Sequence, residues 1–251
     1  MQSTFSLVVL SLFCFTLGDK KVNLPPYIQK CDIDDKDLAE CVREQIIASL
    51  PYFTKGVPEL NVPSLDPVKL DDISINGSGL KLVFTEAAMH GLSKSELTDL
   101  KASLGAVDED FSLTFKANLS LIAKYEIDGR ILILPIKGKG DAVVDTRGVE
   151  VQIQSKLIHV KNSKGEHFKL TSPVYKYDIE HTTFDLKNLF NGNKQLADTT
   201  LAFANQNWKQ LMDDLAPPAI KQIVATVVKA INKFFSNVPI SQMIIGYKDR
   251  L

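Results

Sequence analysis

Odd positions from Phe111 to Ile127 form an unbroken apolar or aromatic row: Phe111, Leu113, Phe115, Ala117, Leu119, Leu121, Ala123, Tyr125 and Ile127. The even positions between them are polar or charged, except Ile122. A period of two sets one face of a strand against a dry interior and the other against water. The pattern lasts about seventeen residues, roughly 55 Å if extended, whereas most strands stop after about five or six. Strand twist accumulates along such a length, which disfavours a flat open sheet. The pattern therefore predicts a strand wrapped around something elongated, a helix or a tube-shaped cavity. That geometry points to a carrier of apolar ligands.

The same reading predicts further antiparallel strands over 70–75, 79–85, 130–136, 149–159 and 168–179, giving an α+β chain. Asp128-Gly129 between two strand patterns predicts a tight hairpin turn there. Residues 90–104 fit either a short helix or a turn. Upstream, Asp34 or Asp35 is placed to cap a helix whose apolar stripe is Leu38, Cys41, Val42, Ile46, Ile47 and Leu50. Prolines at 58, 63 and 67 mark the following stretch as an extended connector. From 197 to 235 the apolar spacing turns helical, through Leu201, Trp208, Leu211 and Met212 to Ile220, Val227, Ile231 and Phe235. Pro217-Pro218 predicts a break or kink near its middle. The broad apolar face of the second half suits a helix lying in a cradle of sheet.

Residues 5–17 are a continuous apolar run, too short to span a bilayer as a helix, and Thr16-Leu17-Gly18 offers small residues to a signal peptidase. The expected division is a signal peptide over 1–18 and one domain over 19–251, in a secreted, extracellular protein. Cleavage removes Cys14 and leaves Cys31 and Cys41. In an oxidising compartment these read as one disulfide, which contributes roughly 3 kcal/mol by loop closure. A formal charge of −1 and no basic block argue against nucleic acid or an anionic membrane surface as the partner.

Chemistry is sparse. His90, His159, His167 and His181 show no metal-binding i, i+4 pair, and read as surface or internally satisfied imidazoles. Asn76-Gly77-Ser78-Gly79 is one residue short of a nucleophile elbow, and Gly138-Lys139-Gly140 is no dinucleotide loop. No catalytic residue, metal or cofactor is expected, and the chain is read as non-enzymatic. Asn76 and Asn118 head glycosylation sequons, Asn118 on the wet face of its strand. Tyr125 sits on the inward face, so its hydroxyl needs a partner inside: either backbone or water, or a ligand for which it is the polar anchor. Trp208 and Met212 read either as core or as pocket wall.

Four stretches, GVPELNVPSLDPVKL at 56–70, YEIDGRILILPIKGKG at 125–140, NLFNGNKQL at 188–196 and FANQNWKQL at 203–211, resemble the takeout and haemolymph juvenile-hormone-binding proteins of insects. Cys31 and Cys41 also sit where that family places its disulfide. The resemblance covers nearly the whole mature chain. It implies a strongly curved antiparallel sheet wrapped around a long C-terminal helix, as in the tubular lipid-binding superfamily, with an apolar cavity or tunnel between them. It implies as ligand juvenile hormone, another terpenoid or a fatty-acid-like lipid. Moth haemolymph carriers hold a second disulfide, for which this mature chain has no cysteines, and that places it nearer the takeout branch. The positions expected to line the cavity are Leu121, Ala123, Tyr125, Ile133, Val151, Ile153, Trp208, Met212, Val227 and Ile231. The expected state is a monomer without stable membrane insertion, with a hydrophobic small molecule as partner and an unidentified receptor possible. The competing readings are a protein-interaction module with a side-chain-filled interior and a secreted lipid-ester hydrolase.

Overall fold

The computed structural model describes residues 24–77, 79–104 and 109–247. The expected signal peptide and Cys14 lie outside them. In chain order the elements are β1 (Cys31–Asp32), α1 (Leu38–Phe53), β2 (Val68–Lys69), β3 (Ile73–Gly77), β4 (Leu80–His90), β5 (Glu96–Ala102), β6 (Glu109–Ile131), β7 (Leu134–Asn162), β8 (Gly165–Asp178), β9 (His181–Leu186), α2 (Lys194–Gln206), α3 (Trp208–Phe235), α4 (Ile240–Met243) and β10 (Ile244–Ile245).

The spine is the antiparallel pair β6–β7, in register from Glu109 opposite Leu157 to Ile131 opposite Leu134. Shorter strands share its flanks: β4 and β5 lie end to end along β6, and β8 and β9 along β7. β2 and β3 extend the β4 side. The sheet curves around α3 without closing into a barrel, which is the expected α+β arrangement.

Two long strands of different phase can share one inward face only if one of them slips. Inward positions on β7 are even from Ile136 to Thr146 and odd from Val149 to Leu157. The change falls at a bulge where Arg147 and Gly148 together oppose Asn118. Gly148 has φ +57° there, and its N–H donates to the Asn118 side-chain oxygen at 2.9 Å. On the outer face, cross-strand ion pairs such as Lys137–Asp128 (2.8 Å) and Lys139–Glu126 (3.2 Å) are exposed. They contribute little to stability each, but they keep that face wet.

The helices are pinned to the sheet by carboxamides. Asn205 on α2 accepts the Phe184 N–H at 2.7 Å and donates to its carbonyl at 3.1 Å. Asn232 on α3 does the same to Leu170, at 2.7 and 2.9 Å. His167, fully buried on β8, lies 2.7 Å from the Phe235 carbonyl in the last turn of α3. At the near end, Cys31 and Cys41 form the expected disulfide, with Cα atoms 5.9 Å apart, and β1 pairs with β10. The bond ties the first strand to α1.

Several local expectations are corrected. The β6–β7 turn lies at Leu132-Ile133, not at Asp128-Gly129. Gly129 instead has φ +133°, and a Cβ there would meet the Gly79 carbonyl oxygen at 2.1 Å, so this glycine serves close strand approach. The C-terminal helix breaks at Asn207 (φ −106°, ψ 24°), while α3 continues through Pro217-Pro218. The prolines leave the carbonyls of Asp213 and Asp214 without a helical donor, and both residues are exposed, so these carbonyls are open to solvent. α1 begins after Asp37 without a side-chain cap; Asp35 instead accepts the Asp37 N–H at 3.0 Å. Residues 90–104 resolve into a short 3-10 turn (Leu92–Lys94) and strand β5.

Candidate ligand-binding cavity

The inward row of β6 divides into two halves. From Leu119 to Ile127 its side chains are buried, whereas of the earlier positions only Leu113 is, and Phe111, Phe115 and Ala117 are half-buried although they point the same way. The difference marks where the sheet stops packing directly on α3 and a cavity of about 220 Å³ opens. β6 supplies Phe111 to Leu119 at alternate positions, and β7 supplies Val149, Val151 and Ile153 after the bulge has brought odd positions inward. α3 supplies Ile220, Ile223, Val224, Val227 and Ile231, and α1 covers the remaining side with Ile46, Leu50 and Phe53.

All the lining side chains are apolar except Ser49, Thr54 and Ser95. Ser49 donates to the Ile46 carbonyl at 2.9 Å and Thr54 to the Leu50 carbonyl at 2.8 Å, so both hydroxyl protons are already engaged. A site of this composition rewards apolar surface and gives little directional bonding. Among the described residues no cluster of His, Cys, Asp and Glu has the arrangement of a metal site. No helix among them is long and apolar enough to cross a membrane.

Of the sequence-derived candidates, Val151, Ile153, Val227 and Ile231 line this cavity. Leu121 and Met212 line a smaller neighbouring one of about 60 Å³. Ala123 is packed in the closed core. Trp208 lies at the α2–α3 junction with its ring 5.3 Å from that of His181, and lines neither cavity. Ile133 is a correction: it caps the β6–β7 turn and is 79% exposed, because the turn falls beyond Asp128-Gly129. Sequence reasoning does not find the lining from α1 or from Leu65 and Leu92, since nothing in a connector's sequence says which surface it will cover. Asn76 and Asn118 are both exposed, as a glycan requires.

Tyr125 is also corrected. It is 2% exposed, and its O–H donates to the Lys187 carbonyl at 2.8 Å, outside the cavity lining. Two glycines make room for this contact. A Cβ at Gly138 would come within 2.7 Å of the Tyr125 oxygen, and one at Gly140 within 2.5 Å of the Lys187 carbonyl oxygen. The hydroxyl therefore holds the 187–189 segment against the sheet. Burial pushes its pKa up to about 12. Tyr125→Phe is expected to cost about 1 kcal/mol by orphaning a carbonyl while leaving ligand affinity unchanged. The neutral phenol is favoured in the folded state, so its contribution is complete below pH 10 and declines as pH rises towards 12. Unfolding midpoints across that range should fall less steeply in the variant than in the wild type; parallel curves would refute the assignment.

A sequence profile described as "Haemolymph juvenile hormone binding protein (JHBP)" matches residues 8–245. "Circadian clock-controlled protein daywake" of Drosophila melanogaster is 30% identical over 233 residues, covering 88% of both chains. A "Putative beta-carotene-binding protein" of Schistocerca gregaria is 21% identical over 221 residues, covering 87% of this chain and 88% of that one. The crystal structure of Epiphyas postvittana Takeout 1 superposes with a TM-score of 0.79 at 30% identity, over 87% of this chain and 100% of the other. Curved sheet, enclosed helix and disulfide-tied first helix are thus accompanied by similarity along almost the whole sequence, and the chain belongs to the haemolymph juvenile hormone binding protein family.

Proposed function

We propose that this protein is a secreted carrier that holds a hydrophobic small molecule, a terpenoid of the juvenile-hormone type or a fatty-acid-like lipid, in the cavity between α1, the sheet and α3. The observation that carries the reading is the cavity itself, enclosed on three sides and lined by apolar side chains with three hydroxyls. The Schistocerca relative, described as a putative binder of β-carotene, supports an apolar ligand class. Burying about fifteen carbons at roughly 0.8 kcal/mol per methylene supplies about 12 kcal/mol before association costs. Micromolar affinity thus needs almost no polar contact. A carrier also needs no nucleophile or base, which agrees with the sparse chemistry of the chain.

The test is native mass spectrometry and solvent extraction of protein recovered from the medium of secreting cells, starting at or near Asp19. A co-purifying apolar molecule, displaced by farnesoids or fatty acids, is the expected result. Protein that emerges empty and takes up no member of either class would overturn the reading.

A further inference from the structure

Three cavities lie in a row along α3. The cavity of about 220 Å³ is lined by helix positions 220–235, that of about 60 Å³ by positions 212–223, and a third of about 410 Å³ by positions 210–215. At 1.5 Å per residue this row accompanies roughly 37 Å of helix. Neighbouring cavities share lining. Leu119, Val149, Ile220 and Ile223 face both the first and the second; Phe84, Phe184 and Leu215 face both the second and the third. Side chains that two cavities share are the partitions between them.

The partitions differ in kind. The first is aliphatic, and its branched ends move between rotamers without displacing a ring. The second contains two phenyl rings, at 5% and 6% exposure, and one of them is fixed from behind. Asn205 holds both backbone polar groups of Phe184, so this ring cannot retreat with its strand. Beyond it the third cavity is still walled mainly by apolar side chains, among them Leu82, Ile131 and Leu201, with Asn76, Arg130, Gln210 and Asp214 at its border. A hydrocarbon tail would find further apolar wall there, so it is the closed partition that keeps it out.

We infer that Phe84 and Phe184, with Phe184 positioned by Asn205, form an internal stop that confines the ligand to the first two cavities and makes this chain selective for short apolar molecules over long polyprenyl chains. The inference rests on the carrier reading and deepens it by setting the ligand's length. It also accounts for one residue of the FANQNWKQL stretch, since Asn205 acts on the stop through a backbone and touches no ligand.

The experiment incubates delipidated full-length mature protein with an equimolar mixture of farnesol and solanesol, isolates the complex by gel filtration, and quantifies both prenols after extraction. The wild type should retain farnesol over solanesol by at least about tenfold. Phe84→Ala/Phe184→Ala should shift the solanesol-to-farnesol ratio at least about tenfold towards solanesol. Asn205→Ala should shift it in the same direction with both rings still present, whereas a merely structural role would lower both prenols together. The ratio is read only on folded protein; Phe184→Leu serves if the double variant does not fold. Equal retention of both prenols by the wild type, or a ratio unmoved by opening the partition, overturns the stop while the carrier reading stands. A wild type that retains neither prenol also overturns the stop as a selector of prenol length, and the carrier reading is then decided separately by uptake of fatty acids.

Discussion

Leu121→Asp is expected to destabilise the protein by about 4 kcal/mol or more, while Ile122→Asp, one residue further on, should cost about 1 kcal/mol or less. The two residues have the same number of carbons and occupy the same strand, so the contrast isolates the face. Leu121 is 6% exposed and points into the interior between sheet and α3. An aspartate there loses the leucine's burial and sets a carboxylate against apolar walls with no cationic partner on the inward row. Ile122 is 49% exposed on the outer face, between the polar residues Ser120 and Lys124. Its aspartate stays hydrated. Denaturant unfolding of both variants measures the difference, and comparable midpoints would show that the alternation does not assign the faces.

That alternation is why the architecture is legible. A one-sided strand of such length has few solutions, and the helical spacing after 197 supplies the object to be wrapped. What the sequence hides are events that change phase. The β7 bulge moves the inward parity from even to odd, and only the paired strand shows that Asn118 faces two residues there. The hairpin signal at Asp128-Gly129 is overridden because Gly129 is needed for close approach to Gly79, and pairing continues to Ile131. The diproline predicts a break, but α3 runs on through it, because the carbonyls that lose their donors belong to the exposed Asp213 and Asp214 and the apolar face on either side is held against the sheet.

The site is half legible for a related reason. Periodicity states that a residue faces inward; it does not state whether the interior at that level is filled. Tyr125 and Phe115 belong to the same row, yet one is packed over Gly138 and the other borders empty space. His159 shows a similar limit. The sequence reads it as a surface or satisfied imidazole, and it is satisfied within a buried group: its Nδ1 meets Glu166, and its Nε2 lies 3.1 Å from Glu109 and 2.7 Å from the Tyr247 hydroxyl. Residues at 109, 159, 166 and 247 carry no motif spacing. The one available signal is that Glu109 continues the odd, inward row of β6.

Filling the cavity should abolish binding without unfolding the protein. Ala117 is the small residue in the β6 row between Phe115 and Leu119, and it faces the cavity from the sheet, opposite Val149 in the β6–β7 register. Val227 faces it from α3. An indole at either position would occupy much of a 220 Å³ space that is otherwise available to a ligand. Ala117→Trp and Val227→Trp are each expected to weaken farnesoid or fatty-acid binding at least about 100-fold, or about 2.7 kcal/mol. Because the new side chain enters space that already exists, the stability cost should stay within about 1–3 kcal/mol. Displacement of a fluorescent apolar probe gives the affinity, and thermal unfolding gives the stability. Agreement between the two variants matters most, since they approach the same volume from opposite walls: loss of binding from the sheet side but not from the helix side would mean that the ligand lies elsewhere.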